Sequence, residues 1–150
     1  MVKKISSAKV RNPALKLFEA IIGEWETVGK HPEVPDELTG RSTFKWIEGG
    51  AFVKWESVVN HKLFPAGIAI FGSDDGTGEI TMLYFDERKV SRIQKVSFRK
   101  GQLKWWRITK KFSQKYTWTI SKNRIISRGK LSTDGKTWKK DFDQTFTRKS

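Results

Sequence analysis

The sequence predicts an all-β fold, a ten-stranded antiparallel up-and-down β-barrel with a short N-terminal helix. Three observations lead there. After Gly23 the hydrophobic pattern alternates with a period of two, which places successive side chains on opposite faces of a strand. The alternating runs are separated by short clusters of Gly, Asp, Asn and Pro, and connections that short join antiparallel neighbours. A meander of ten strands avoids exposed edges by closing on itself.

The elements follow in order. Asn12-Pro13 is a helix start, a capping side chain followed by a proline whose fixed φ suits the first helical position. Ala14, Leu17, Phe18, Ile21 and Ile22 share one face at α-helical spacing, and Gly23 ends the helix. So short a helix holds only when docked on an apolar surface. Strands are expected near 24–30, 41–48, 51–60, 68–73, 79–85, 90–99, 102–109, 112–121, 124–132 and 137–148. The turns fall at HPEVPDELTG, Glu48-Gly49-Gly50, Asp74-Asp75-Gly76, Asp86-Glu87-Arg88, Lys100-Gly101, Lys122-Asn123 and Asp134-Gly135. No repeat or linker divides residues 1–150, and residues 1–12 read as a basic tail ahead of a single domain.

The alternation assigns faces. The inward set is Val90, Arg92, Gln94, Val96 and Phe98 on the sixth strand, with Phe112, Gln114, Tyr116, Trp118 and Ile120 on the eighth. On the tenth it is Trp138, Phe142, Gln144, Phe146 and Arg148, which leaves Asp141 and Asp143 outside. The fourth and fifth strands, IAIFG and ITMLYF, are apolar on both faces. Their outer side therefore calls for a cover, either the helix or a second subunit in a homodimer.

Composition narrows the function. No cysteine is present, which removes disulfides, thiolate chemistry and cysteine metal sites and makes the cytoplasm the default compartment. No apolar run is long enough for a membrane-spanning helix, so no membrane insertion is expected. The net charge is +14 and unevenly placed: Arg88 to Thr133 holds fifteen Lys and Arg and no Asp or Glu. His31 and His61 fall in expected loops without the spaced partners of a metal centre, so neither a metal nor a cofactor is expected. There is no nucleophile elbow, phosphate loop or paired carboxylate motif, and the reading leans away from an enzyme. A lumenal acid–base reaction would have to draw on Tyr84, Tyr116 or Asp141.

Gly23-Glu24-Trp25 opens the first strand directly after the helix, and Arg148 closes the last. That pairing resembles the calycin superfamily of lipocalins and fatty-acid-binding proteins, where a Gly-x-Trp sits against a basic residue from the end of the barrel. The segments GKHPEVPDELTG, TFKWIEGGAF, MLYFDERKVSR, FSQKYTWTI and STDGKTWKKDF further resemble a bacterial group of uncharacterised calycin-like proteins. The resemblance implies barrel closure through Gly23, Trp25 and Arg148. Two departures bear on function. The helical lid that fatty-acid-binding proteins carry between strands one and two is replaced here by a proline-containing loop. The haem-binding nitrobindin branch holds iron by a histidine near the C-terminus, and this chain has none after His61.

Two sites emerge. Within a barrel of this kind, Arg92 and Arg107 would meet a partly apolar, anionic small molecule, Gln94 and Gln114 would orient it, and Trp46, Trp55, Trp105, Tyr116 and Trp118 would form its walls. An inward arginine needs an answering charge, and with no acid in that stretch the internal candidates are Glu56 or Glu79. The alternative is polyanion or nucleic-acid binding on the outer face of strands six to nine, through Lys95, Arg99, Lys104, Lys115, Arg128 and Lys130 with Trp106 among them.

Overall fold

The computed structural model describes residues 11–149. A 3-10 helix, Pro13–Ile21, precedes eleven strands. These are β1 (Gly23–His31), β2 (Val34–Ile47), β3 (Phe52–Val59), β4 (Gly67–Ser73), β5 (Ile80–Asp86) and β6 (Val90–Arg99). They continue as β7 (Gln102–Arg107), β8 (Ser113–Ser121), β9 (Arg124–Ser132), β10 (Lys139–Lys140) and β11 (Asp143–Arg148). Neighbours pair antiparallel from β1 through β9, β9 also pairs β11, and β11 pairs β1. The result is a closed ten-strand barrel, because β10 and β11 together occupy the last expected strand, interrupted at Asp141 and Phe142.

Closure is made by side chains as well as by the ladder. Trp25 lies opposite Arg148 in register, and the guanidinium stacks over the indole at 4.3 Å. Arg148 also donates to the carbonyls of Ala20, Ile22 and Lys122, at 2.7, 2.8 and 3.0 Å. The Trp25 indole N–H donates to Ile21 O at 2.9 Å, so helix, first strand and last strand meet at one knot.

The helix departs from the expected period. It is 3-10, with a break in helical geometry at Leu15, and its buried residues are Leu15, Phe18 and Ile21. Three residues per turn put i, i+3 and i+6 on one face, so Leu17 is left 43% exposed and Ala14 is exposed too. Phe18 plugs the base of the barrel against Phe71 and Phe98, with ring centroids at 4.7 and 4.9 Å. The Asn12 side chain caps Ala14 N at 3.0 Å and reaches Ser73 Oγ at 3.1 Å, while Arg11 stacks on Trp46 at 5.3 Å. Those two residues of the expected tail are thus tied to the barrel, and residues 1–10 lie outside the described residues.

A second departure is at β2. The segment expected to be a proline-containing loop is mostly strand: the chain turns at Pro32-Glu33 and β2 already runs from Val34. Pairing of β2 with β3 begins only at Gly40, so Pro35 sits where its missing N–H costs no ladder bond to β3. The lower barrel is packed with aromatics. Phe44, Trp55, Trp118 and Phe146 form one cluster, with Trp55 and Trp118 edge to face at 5.0 Å. The upper barrel is open.

Candidate functional site: a lumen between an arginine wall and a buried aspartate

A cavity of about 350 Å³ occupies the upper half of the barrel, within the range of small-ligand sites. Its walls include Val34, Trp55, Trp105, Phe112 and Tyr116, with Arg92 and Gln94 from β6, Arg88 from the turn before it, and Gln114, Asp141 and His31. Trp105 and Tyr116 are stacked at 4.1 Å with planes 8° apart. Tyr116 lies flat on Gly129, where a Cβ would come within 2.3 Å of the ring, so only glycine lets the phenol sit there. Burial, and then the nearby Asp141, push the Tyr116 hydroxyl well above its ordinary pKa, so it stays protonated.

Asp141 organises the polar wall. Its Oδ2 accepts from Gln114 Nε2 at 2.9 Å, which fixes the Gln114 amide with Oε1 facing Gln94 Nε2 at 3.5 Å. That leaves Gln94 Oε1 as a buried acceptor with no protein donor. Asp141 Oδ1 faces His31 Nε2 at 3.3 Å, and His31 Nδ1 accepts from Glu33 N at 3.1 Å. The second contact assigns the ring proton to Nε2, so His31 donates to the carboxylate. With both nitrogens engaged, His31 does not fit a metal or haem ligand, and no cluster of metal-ligating side chains exists among the described residues.

Arg92 has no such partner. Arg92 lies over Phe112 at 4.5 Å and Tyr84 at 5.9 Å, and among the described residues no carboxylate pairs with it. Desolvation, and then the neighbouring Arg88 guanidinium, press its pKa below the ordinary arginine value. Arg88 itself forks onto Asp86 at 3.1 and 2.7 Å, and Asp86 also accepts from the Tyr84 hydroxyl at 2.7 Å.

The structure brings Arg92, Gln94, Gln114, Trp55, Trp105 and Tyr116 to the cavity and leaves three expected members elsewhere. Trp118 is 1% exposed in the packed base below the cavity. Trp46 packs at the periphery of the core under Arg11, away from the cavity. Arg107 follows Trp105 in phase, yet it sits past the cavity wall beside Trp106 and Ile108, with its Nε buried and without a protein acceptor.

Neither expected internal acid enters the lumen. Glu56 is on the outer face, paired with Lys54 at 2.8 Å, and Glu79 is exposed in the β4–β5 turn. The lumenal acid is Asp141, expected outside. The interruption between β10 and β11 shifts the phase there by one, turning both Asp141 and Phe142 toward the mouth. His31, expected to be an unpartnered loop residue, ends β1 at the rim, edge on to Phe64 at 5.4 Å. Phe64 and Pro65 from the β3–β4 connection also line the mouth, with Phe64 5.0 Å from Phe142.

The six expected surface cations are all exposed. Lys95, Trp106, Lys115, Lys130 and Lys140 lie opposite one another in register across β6 to β10. Lys115 Nζ sits 3.9 Å above the Trp138 ring. Arg99, Lys104 and Arg128 flank that row.

Closed topology, the Trp25–Arg148 knot and the lumen above an aromatic base define a calycin-like barrel. No protein-family model matches the chain, and no curated protein matches it significantly in sequence. Solved structures do. Rv2717c from M. tuberculosis aligns with a TM-score of 0.68 at 10% identity, over 93% of this chain and 99% of that one. The S-type phycobiliprotein lyase CPES from Guillardia theta aligns at 0.59 and 9% identity, over 99% of both. Zebrafish ileal bile acid-binding protein, solved with cholic acid, aligns at 0.52 and 14% identity, over 86% of this chain and 98% of that one. At such identities the likeness establishes the fold.

Proposed function

We propose that the protein binds a small amphipathic molecule in the barrel lumen, its anionic end against Arg92 and its apolar body between Trp55, Trp105 and Phe112. The observation that carries this is the unanswered guanidinium. Arg92 is desolvated at the wall of a cavity, keeps its charge, and has no carboxylate partner among the described residues. An anionic ligand supplies the missing hydrogen bonds. The orphaned Gln94 Oε1 and Trp105 Nε1 add a polar requirement along the ligand's body, met by a hydroxyl or by bound water. The opposite wall sets direction, because Asp141 repels a second anionic group. That a bile acid-binding protein shares the fold agrees with a small-ligand role for the barrel.

The test pairs two probes of one chain length, a fluorescent fatty acid and its uncharged alcohol. The acid is expected to bind at least ~30-fold tighter, the worth of about 2 kcal/mol in charge-assisted hydrogen bonds. Equal affinities, or no binding of either, would overturn the reading. Native mass spectrometry of the purified chain would show any molecule that travels with it.

A second reading rests on the register of Lys115, Lys130 and Lys140. Like charges directly opposite on adjacent strands repel, and a polyanion relieves that repulsion. Binding of single-stranded nucleic acid there would weaken steeply with salt, whereas the lumen site would not.

A further inference from the structure

The outer face of β4 to β7 carries an apolar patch that none of the described residues covers. Ile68, Leu83 and Phe85 are 41%, 40% and 41% exposed, and Ile93 and Ile108 are 70% and 62% exposed. They are contiguous: Ile70, Leu83 and Ile93 are register neighbours, as are Ile68 and Phe85. With Trp106 beside Ile93 and Ile108, the patch spans four strands, roughly 14 Å at the usual inter-strand spacing. The helix does not shield it, since Phe18 and its neighbours fill the base of the barrel instead.

The charges on either side of this seam have opposite sign. Residues 24–87, forming β1 to β5, hold twelve acidic and five basic side chains, a formal −7. Residues 88–133, forming β6 to β9, hold fifteen basic and no acidic ones. The boundary between these halves is the β5–β6 hairpin, in the middle of the apolar patch. Shallow grooves on the two flanks carry the same asymmetry. One is bordered by Glu56 and Glu87 and the other by Lys95 and Arg107, and Phe85 belongs to both.

We infer that this face is the interface of a two-fold homodimer. A two-fold axis lying in the interface, parallel to the seam, lays the basic half of one copy on the acidic half of the other, while the apolar centres meet on the axis. That self-complementarity is what an isologous contact requires. A bilayer or polymer with negative charge throughout would match only the basic half and be repelled by the other. The inference is independent of what the lumen holds.

Sedimentation velocity on the full chain tests it. Wild-type protein is expected to show a concentration-dependent monomer–dimer equilibrium. Ile93→Asp should weaken it at least ~30-fold, since it buries an unpaired charge at the centre of the contact. Because Ile93 is 70% exposed in the single chain, that variant should melt like wild type. Leu17→Asp, at an exposed apolar site on the helix away from this face, should dimerise normally. A chain monomeric at all concentrations, a dimer indifferent to Ile93→Asp, or open-ended growth beyond the dimer would each overturn the inference. So would a monomer that loads onto anionic vesicles through Ile93.

Discussion

Replacing Arg92 by methionine separates a ligand-binding arginine from a structural one. The substitution keeps most of the side-chain volume and deletes the charge. On the stability side, the guanidinium loses its stacking on Phe112 and Tyr84, worth about 1 kcal/mol, and the thioether recovers part of that against the same rings. Against this stands relief of a desolvated charge repelled by Arg88. The two nearly cancel, so the melting temperature should stay within about 4 °C of wild type, the shift that ~1 kcal/mol produces in a chain of this size. On the binding side, one bidentate, charge-assisted contact disappears, about 2–4 kcal/mol or ~30- to ~1,000-fold in Kd for a fatty-acid probe. The uncharged alcohol of the same length should bind almost as before. The readouts are thermal melts and titrations followed by quenching of Trp55 and Trp105, which line the cavity. If Arg92→Met lost several kcal/mol of stability while the fatty acid bound unchanged, the arginine would belong to the scaffold and the lumen assignment would fall.

Three other outcomes are expected. Phe18→Ala should cost about 3–5 kcal/mol in urea denaturation, since the ring is fully buried between Phe71 and Phe98; a loss below about 1 kcal/mol would show the helix to be dispensable. Arg148→Met should cost about 2–3 kcal/mol by removing three carbonyl contacts and the stack on Trp25, and a neutral variant would show that the ladder alone holds the barrel shut. The Arg88 fork, with the Tyr84 hydroxyl behind it, holds Asp86 down at about 2 against an ordinary 3.8. A depressed carboxylate stabilises above its unfolded pKa and loses that contribution as pH falls through the folded one. The deficit of Asp86→Asn should therefore be full above pH 3.8 and vanish toward pH 2, with a size of about 1 kcal/mol because Arg88 is 52% exposed. A deficit unchanged by acid would remove the carboxylate from the account.

Much of this was legible because alternation along a strand is a strict code. Trp25 against Arg148, the inward phase of Arg92, Gln94 and Gln114, and the outward phase of Lys95, Lys104 and Lys115 all follow from a period of two once the strands are placed. The same code says nothing about height in the barrel. Trp118 and Tyr116 share a face, yet one lies in the packed base and the other beside the cavity. It also fails where the period breaks: an interruption of two residues brings Asp141 inside, and the tight turn at Pro32-Glu33 puts His31 on the rim opposite it. No local signal near either residue names the other, because they are 110 positions apart and meet only when the sheet closes. The helix departs from its expected winding for a related reason. Leu15, Phe18 and Ile21 fit a period of three as well as Leu17, Phe18 and Ile21 fit 3.6, and the tighter winding is chosen by the space at the barrel base.

The meeting of β1 with β11 has a consequence for how the protein folds. Every other neighbouring pair in the barrel can form as a hairpin or a near-hairpin, whereas Trp25 must find Arg148 across almost the whole chain. The entropy of closing that loop is spent before the contact returns anything, which makes the seam the natural last step and the slow one. A circular permutant that joins the two ends and opens the chain at the exposed β5–β6 turn would convert this distant pairing into a local one and relocate the long-range closure to β5 and β6. If the Trp25 and Arg148 contacts form only after the barrier has been crossed, mutations there should mainly accelerate unfolding in the native order of strands, and should begin to slow folding in the permuted one.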